Sequence, residues 1–225
     1  MLANIYLHYA FDLWVEAWRK KVARGDVIAV RYADDAVLGF EHREEAERFL
    51  GELRERLGQF GLELHPEKTR LIEFGRYAEE KRRRRGEGKP ETFDFLGFTH
   101  MCGRARKTGY FVVGRKTINK RMRAKLAALK AELRARMHDP LRQTGAWLQT
   151  VVRGYFQYHA IPGNTPRLGT FRERLRRLWR HSMRRRGQNR RPNWNRLGPL
   201  FDRWLPQPRV LHPYPGQRFD AMHPR

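Results

Sequence analysis

The sequence predicts an α+β protein in which short antiparallel strands packed on helices are followed by an all-α region. Two observations support this. Before about residue 100, short apolar runs bounded by turn residues alternate with one long amphipathic segment. After it, apolar residues recur at helical spacing over three long stretches, which Gly and Pro separate. We therefore place one domain at residues 1–99 and a second at residues 100–225.

The first domain opens with a predicted helix from Leu2 to Arg24, whose start is apolar almost all round and so predicted to be buried. Two strands should follow, near Val27–Tyr32 and Ala36–Phe40, with an aspartate pair at their junction. A second helix is predicted over Glu44–Phe60, where Gly61 ends it. The pattern therefore indicates a hairpin between two helices.

The remaining elements are predicted in chain order. We expect a turn leading into a strand over 62–74, a solvated basic loop over 81–90, and strands at 93–98 and 108–114. Helices are then predicted at Thr117–Met137, Leu141–His159 and Leu168–Arg186. The last 35 residues are predicted to be irregular and docked on the helices by Trp194 and Trp204.

The charge balance points to a polyanionic partner. Lys and Arg number 48 against 24 Asp and Glu, a formal net charge of +24. Nucleic acid or an anionic membrane would suit that surplus. No apolar run approaches the roughly 20 residues of a membrane span, and no signal peptide is visible. Nucleic acid is therefore the predicted partner. The single cysteine, Cys102, excludes an internal disulfide and a multi-cysteine zinc site, and favours an intracellular location.

The positive charge is concentrated late in the chain. After Pro140 there are 18 Arg, no Lys and three acids. The predicted third helix of this region contains eight arginines, which we predict to bind nucleic acid: Arg172, Arg174, Arg176, Arg177, Arg180, Arg184, Arg185 and Arg186. A solvated helix face and a codon bias toward Arg are the alternatives. Trp147, Tyr155, Phe156 and Tyr158 could stack on unpaired bases, although core packing is favoured for most of them.

The aspartate pair lies in the stretch VIAVRYADDAVLGF, Val27 to Phe40. A turn alone could explain it, because Asp side chains bond their own backbone. A metal site is the sharper hypothesis, since carboxylates are the ligands that Mg²⁺ prefers and a tight hairpin is a rigid mount. Two-metal enzymes use such ions to clamp the attacking and leaving oxygens of phosphoryl transfer.

Several segments together resemble one family. The stretch Arg31–Asp35 resembles the Y-x-D-D signature of reverse transcriptases, in the YADD form of group II intron-encoded reverse transcriptase/maturases. GLELHPEKT (61–69), FDFLGFTH (93–100) and RGYFQYH (153–159) resemble its next palm motif, its primer grip and its maturase thumb, called domain X. The resemblance implies a partial reverse-transcriptase palm followed by an all-α thumb.

The resemblance also implies roles for residues. Asp34 and Asp35 would be catalytic and metal-binding, with Mg²⁺ as cofactor of a two-metal site only partly present in this chain. Lys68 would stabilise the departing pyrophosphate or donate a proton, unless it is a solvated turn residue. Primer or nucleotide contacts would come from Tyr32, Ala33, Leu96 and Gly97, although Gly97 could instead be a bulge glycine. Phe93 and Phe95 are favoured as core residues over a nucleic-acid platform.

The family's template-contacting Pro-Gln-Gly stretch and a further palm aspartate have no counterpart here, and Asp12 and Asp26 lie in the wrong context to replace it. Enzymatic activity of this chain alone is therefore uncertain. Three hypotheses stay open: part of a polymerase completed by an N-terminal polymerase fragment, an RNA-binding splicing module, or a decayed reading frame. Intron RNA and primer–template duplex are the expected partners, in a cytoplasmic ribonucleoprotein or at the nucleoid.

Overall fold

The computed structural model describes residues 2–186 and 194–214. The chain divides into two compact units, the first ending at Phe74 and the second beginning at Gly75. Both combine helices with short antiparallel strands, so the predicted α+β class is confirmed. The predicted boundary between residues 99 and 100 falls inside a strand of the second unit, and it stays a prediction about where the palm-like part ends.

The first unit is a β-hairpin packed between helical segments. It contains α1 (Leu2–Leu7), a π-helical turn (His8–Asp12), α2 (Leu13–Lys21), β1 (Val27–Tyr32), β2 (Asp35–Phe40) and α3 (Arg43–Gly58). Its core cluster consists of seven apolar residues from helices and hairpin: Phe11, Val15, Trp18, Val27, Phe49, Leu53 and Leu57. Both predicted helices and both predicted strands are confirmed; the π-helical turn was not anticipated.

Two predictions in this unit are wrong. The start of the first helix is not buried: Leu2 is 83% and Ile5 53% exposed. Residues 62–74 form a turn but no strand, and the segment pairs with no other strand. The apolar residues Leu62 and Leu64 pack against the core cluster instead.

The second unit joins a three-stranded antiparallel sheet to a helical bundle. Its elements are α4 (Ala78–Arg84), β3 (Phe93–Phe95), β4 (Phe98–Arg104), β5 (Phe111–Thr117), α5 (Asn119–Ala135), α6 (Leu141–His159), α7 (Thr165–Arg184) and α8 (Trp194–Trp204). The strand order is β3-β4-β5. Its core lies among α5 to α8, where Leu148, Leu168, Phe171 and Phe201 are fully buried. The three predicted helices of this region are confirmed.

Two loop predictions in this unit need correction. The segment 81–90 is not all loop, since α4 covers residues 78–84 and Glu79 and Glu80 favour its first turn. The region predicted to be irregular contains α8, which has a strong apolar face that docks Leu197, Phe201 and Leu205 in the core. The parts of that prediction at 191–193 and 215–225 lie outside the described residues.

Close packing and one buried amide hold the second unit together. A Cβ on Gly145 would lie 2.7 Å from the indole of Trp204, so only glycine lets α6 approach α8 there. The fully buried Asn164 donates to Thr117 Oγ1 and to the His159 carbonyl, both at 2.8 Å, and its Oδ1 accepts from the Thr117 backbone N–H at 3.0 Å. These bonds tie the end of β5 to the connection between α6 and α7.

Candidate functional site

The aspartate pair lies at the tip of the β1–β2 hairpin. Tyr32 pairs with Asp35 across the ladder, which leaves Ala33 and Asp34 as a two-residue turn. Ala33 has a φ of 54°, in the left-handed region that favours glycine. Such backbone strain in a non-glycine residue costs on the order of 1 kcal/mol and clusters at functional sites. The predicted site residues Tyr32, Ala33, Asp34 and Asp35 therefore share one strained, solvent-exposed tip.

The register decides which way these side chains point. Residues directly opposite in an antiparallel pair lie on the same face, so Asp35 shares a face with Tyr32 and with Val30. That face is open to solvent, because Ile28 is 66%, Val30 48% and Tyr32 65% exposed. The other face of the hairpin carries Val27 into the core. The hairpin thus presents one carboxylate on an exposed face and the second, Asp34, in the turn beside it.

The guanidinium of Arg31 supports the strained turn. Arg31 donates through Nη1 to the carbonyl oxygen of Ala33 at 2.7 Å. The same side chain donates to Asp12 through Nε at 2.7 Å and Nη2 at 2.5 Å. The hydrogen bond from Arg31 lowers the pKa of the Asp12 carboxyl, outweighing the opposite effect of burial. Asp12, which sequence reasoning set aside, therefore anchors the hairpin. Two features of the sequence could have indicated this pair: an acid in an apolar helix and an Arg just before the YADD stretch.

Lys68 lies in the same unit but in a different element. It is exposed in the turn after His65, where its backbone N–H donates to the His65 carbonyl at 3.2 Å. Within residues 2–186 and 194–214, no ion pair or side-chain hydrogen bond joins it to the hairpin aspartates. Its predicted role toward pyrophosphate stays a prediction.

Donor chemistry at the tip suits a hard divalent cation. Asp34 and Asp35 offer only carboxylate oxygens, which Mg²⁺ prefers, and both are exposed. Two carboxylates are fewer than the six ligands of an octahedral ion, so water, phosphate or another group must supply the rest. Among the described residues, no group of three or more His, Cys, Asp or Glu is placed to hold a metal.

The other predicted contact turn lies in the second unit. Leu96 and Gly97 connect β3 to β4 with φ values of 47° and 81°, as a hairpin turn with two left-handed residues requires. Ala33 and Leu96 are the two non-glycine residues with positive φ in the described part of the chain, and both were predicted contacts. Gly97 is thus a turn glycine rather than a bulge glycine.

A tyrosine from α6 fixes this turn. The Tyr158 hydroxyl donates to the Leu96 carbonyl oxygen at 2.8 Å, and its ring stacks on Phe98 with centroids 5.7 Å apart. A Cβ on Gly97 would lie 3.3 Å from Arg121 Nη1 and 3.5 Å from the Tyr158 ring. Sequence reasoning had grouped Tyr158 with possible base-stacking aromatics and missed this positioning contact, because no local pattern connects residues 62 positions apart.

The other three aromatic residues considered for base stacking are core residues, as the sequence favoured for most of them. Tyr155 and Phe156 are buried, and Trp147 packs against the same cluster. The Tyr155 ring stacks on Phe171 with a centroid distance of 3.8 Å. Burial raises the pKa of the Tyr155 hydroxyl to about 12. Phe93 and Phe95 are half-buried, and Phe93 stacks on His100.

The eight predicted arginines, of which six lie in α7 while Arg185 and Arg186 follow its end, do not form one solvent-facing row. Arg172 is buried and donates to the Leu205 carbonyl at 3.1 Å and to Asp202 at 2.7 Å. Arg176 lies over the Trp194 and Phe201 rings, and Arg186 donates to the carbonyls of Arg136 and Asp139. For Arg172 the prediction of a nucleic-acid contact is corrected, because its guanidinium is enclosed.

Four of the eight arginines are exposed. Exposed positions are held by Arg174, Arg177, Arg184 and Arg185, while Arg180 is half-buried over Trp194 at 4.6 Å. Arg177 pairs with Glu173 at 3.2 Å. The exposed part of this set stays a predicted nucleic-acid surface.

Two paired carboxylates on an exposed, strained hairpin within an α+β unit form a candidate site for a divalent cation, which stays a prediction. Comparison with known families agrees: residues 1–100 match the family model described as reverse transcriptase (RNA-dependent DNA polymerase). The matched part covers the first unit and continues into β4, so this part of the chain is similar to a reverse transcriptase domain. No curated protein matches the chain. Among the helices of residues 2–186 and 194–214, none has the length and apolar character to span a bilayer.

Proposed function

We propose that this chain is the C-terminal part of a group II intron-type reverse transcriptase/maturase, with residues 1–99 as partial palm and 100–225 as thumb. The observation that carries the proposal is the exposed hairpin tip with Asp34 and Asp35, inside the range that matches the reverse transcriptase family model. The reaction is RNA-templated DNA synthesis, in which a primer hydroxyl attacks a nucleoside triphosphate and pyrophosphate leaves.

The chain's own residues have distinct tasks in this proposal. Asp34 and Asp35 would hold Mg²⁺, which would supply Lewis-acid stabilisation to phosphoryl transfer when bound. Asp12 and Arg31 keep the turn carbonyl of Ala33 in place and so fix the carboxylates. The exposed face of Ile28, Val30 and Tyr32 supports completion by an N-terminal polymerase polypeptide that covers the hairpin and adds a further carboxylate.

Primer extension on an RNA template tests the polymerase proposal. The chain is assayed alone and together with a separately purified fingers-and-palm segment of a group II intron reverse transcriptase. We expect extension only in the mixture, and loss of about 10²- to 10³-fold for Asp34→Asn, by analogy with removal of one essential electrostatic group. Asp26→Asn is the matched control, since it removes the same charge from an exposed aspartate at the other end of the hairpin.

A second function, RNA binding that assists splicing without polymerisation, is favoured by the exposed arginines in and directly after α7. It predicts that intron RNA binding and splicing are indifferent to Asp34→Asn but are lost when Arg174, Arg177, Arg184 and Arg185 become glutamine. Absence of RNA binding at modest salt for the unmodified chain contradicts both functions.

A further inference from the structure

The longest stretch of the chain without Asp or Glu is not in α7; it is the segment from Phe95 to Ala131. It contains ten Lys and Arg residues and neither Asp nor Glu. Elsewhere acids offset the arginine runs: Glu80 and Glu87 pair with arginines of the 81–85 run, and Glu173 and Asp202 pair with arginines of α7. The longest acid-free segment of the chain therefore covers β4, β5 and most of α5.

The tip of the β4–β5 hairpin concentrates this charge beside an aromatic ring. Arg106 and Lys107 occupy the turn, both exposed, and neither forms an ion pair with any described residue. Tyr110 follows them with 76% of its surface exposed. Arg104, at the end of β4, has one long contact of 3.7 Å with Glu79.

The loop that carries these side chains is ordered by its own backbone. Ala105 N–H donates to the Tyr110 carbonyl at 2.8 Å, and Gly109 N–H donates to the Ala105 carbonyl at 2.8 Å. Gly109 has a φ of 70°, which glycine adopts without strain. Because the backbone is closed at its base, the two cations and the ring start from a restricted geometry and lose less entropy on binding.

We propose that this hairpin tip binds unpaired nucleotides of a nucleic acid, with Tyr110 stacked on a base and Arg106 and Lys107 on the adjoining phosphates. Cations beside an exposed aromatic are the combination that single-stranded nucleic-acid sites use, because every base has a π-face and every nucleotide a phosphate. The proposal rests on the proposed function only in that the chain binds nucleic acid; it names a separate site for that binding.

The test is equilibrium binding of a fluorescein-labelled 20-nucleotide single-stranded RNA to the full chain at several salt concentrations. Tyr110→Ala should weaken binding by about 5- to 150-fold, the range for one lost base stack, and leave the salt slope unchanged. Arg106→Gln with Lys107→Gln should lower the slope of log K against log salt by about 1.4, which is two phosphate contacts on a single strand. Tyr110→Phe should restore most of the affinity.

Matched controls come from the same unit. Tyr77→Ala removes a tyrosine that is 61% exposed, and Lys81→Gln with Arg83→Gln removes two exposed cations. If these controls weaken binding as much as the hairpin variants, binding is diffuse electrostatics and the proposal is overturned. Unchanged affinity in the hairpin variants also overturns it and leaves the proposed function standing, whereas failure of the unmodified chain to bind RNA defeats the proposed function itself. A final measurement tests binding of the chain to phosphatidylserine vesicles. If the hairpin variants lose binding to the vesicles but not to RNA, the hairpin tip is a membrane-binding surface and the proposal is overturned.

Discussion

The carboxylate of Asp12 accepts two parallel hydrogen bonds from the guanidinium of Arg31, at 2.7 and 2.5 Å, while Arg31 also donates to the carbonyl of Ala33. Asp12 ends the π-helical turn, and Arg31 lies two residues before the turn residue that it supports. The paired aspartates at the hairpin tip therefore depend on a residue from a different element, 19 positions earlier than Arg31.

Asp12→Asn should loosen the hairpin tip. The amide cannot accept both hydrogen bonds of the guanidinium fork, so we expect opening of the turn to become easier by about 1–2 kcal/mol, the range for hydrogen bonds to charged groups. Hydrogen exchange of the amides at residues 32–35 measures this. Asp26→Asn is the control, and equal exchange in the two variants would contradict the positioning role.

The same pair has a defined pH dependence. Arg31 lowers the pKa of the Asp12 carboxyl in the folded protein. The stabilisation that this ion pair gives the folded hairpin is therefore complete above the ordinary Asp pKa of about 3.9, and it is lost as the pH falls through the lower pKa of the folded state. The protection factors of the tip amides, which are exchange rates normalised to the intrinsic rate at each pH, should therefore fall in acid in the unmodified chain, and Asp12→Asn should remove that acid-dependent component.

Ala33→Gly should stabilise the hairpin by up to about 1 kcal/mol. Glycine relieves the strain at a φ of 54°, and the extra freedom of the unfolded chain offsets only part of that gain. Ala36→Gly, in β2, is the matched control and should destabilise by about 0.5–1 kcal/mol. Urea unfolding followed by tryptophan fluorescence reads both, and destabilisation by both changes would refute the strain argument.

Tyr158→Phe should free the Leu96–Gly97 turn while keeping its aromatic packing. The lost hydrogen bond to the Leu96 carbonyl contributes about 0.5–1.5 kcal/mol, so exchange of the Gly97 and Phe98 amides should accelerate by about 2- to 12-fold. Tyr77→Phe, on an exposed tyrosine of the same unit, should change nothing there.

Arg172 and Arg174 should behave in opposite ways. Arg172→Met leaves the Leu205 carbonyl without its donor and Asp202 without its cation, and should lower the free energy of unfolding by about 2 kcal/mol. Arg174→Gln, on the exposed side, should stay within about 0.5 kcal/mol while weakening RNA binding. Urea unfolding and RNA titration of both variants separate the two roles; loss of stability in Arg174→Gln would argue against its placement.

Tyr155 should make the second unit sensitive to alkali. Burial raises the pKa of its hydroxyl from about 10 in the unfolded chain to about 12 in the folded protein, so stability falls as pH rises from 10 to 12, by up to about 3 kcal/mol. Tyr155→Phe keeps the ring on Phe171 and removes this dependence. Comparison of the two unfolding midpoints at pH 8 and pH 11 checks the sign; parallel loss in both proteins would exclude Tyr155 as the cause.

Local patterns determined much of this protein. The alternation and turn chemistry of Val27–Phe40 are enough to place a hairpin with Asp34 and Asp35 at its tip, because pleated geometry has a period of two. Helical spacing likewise places α5, α6 and α7. These signals are local in the sequence, so the elements can be predicted without knowledge of the tertiary contacts.

The tertiary structure decided which of the charged and aromatic side chains are available. The eight arginines between residues 172 and 186 look alike in sequence, yet Arg172 is enclosed by α8 and Arg174 is not, because the register between two helices is set by packing across 30 residues. The same reason hides the partnerships of Asp12 with Arg31 and of Tyr158 with Leu96, which join residues distant in the chain. Local pattern thus placed the paired carboxylates, and only long-range packing chose the side chains that position them.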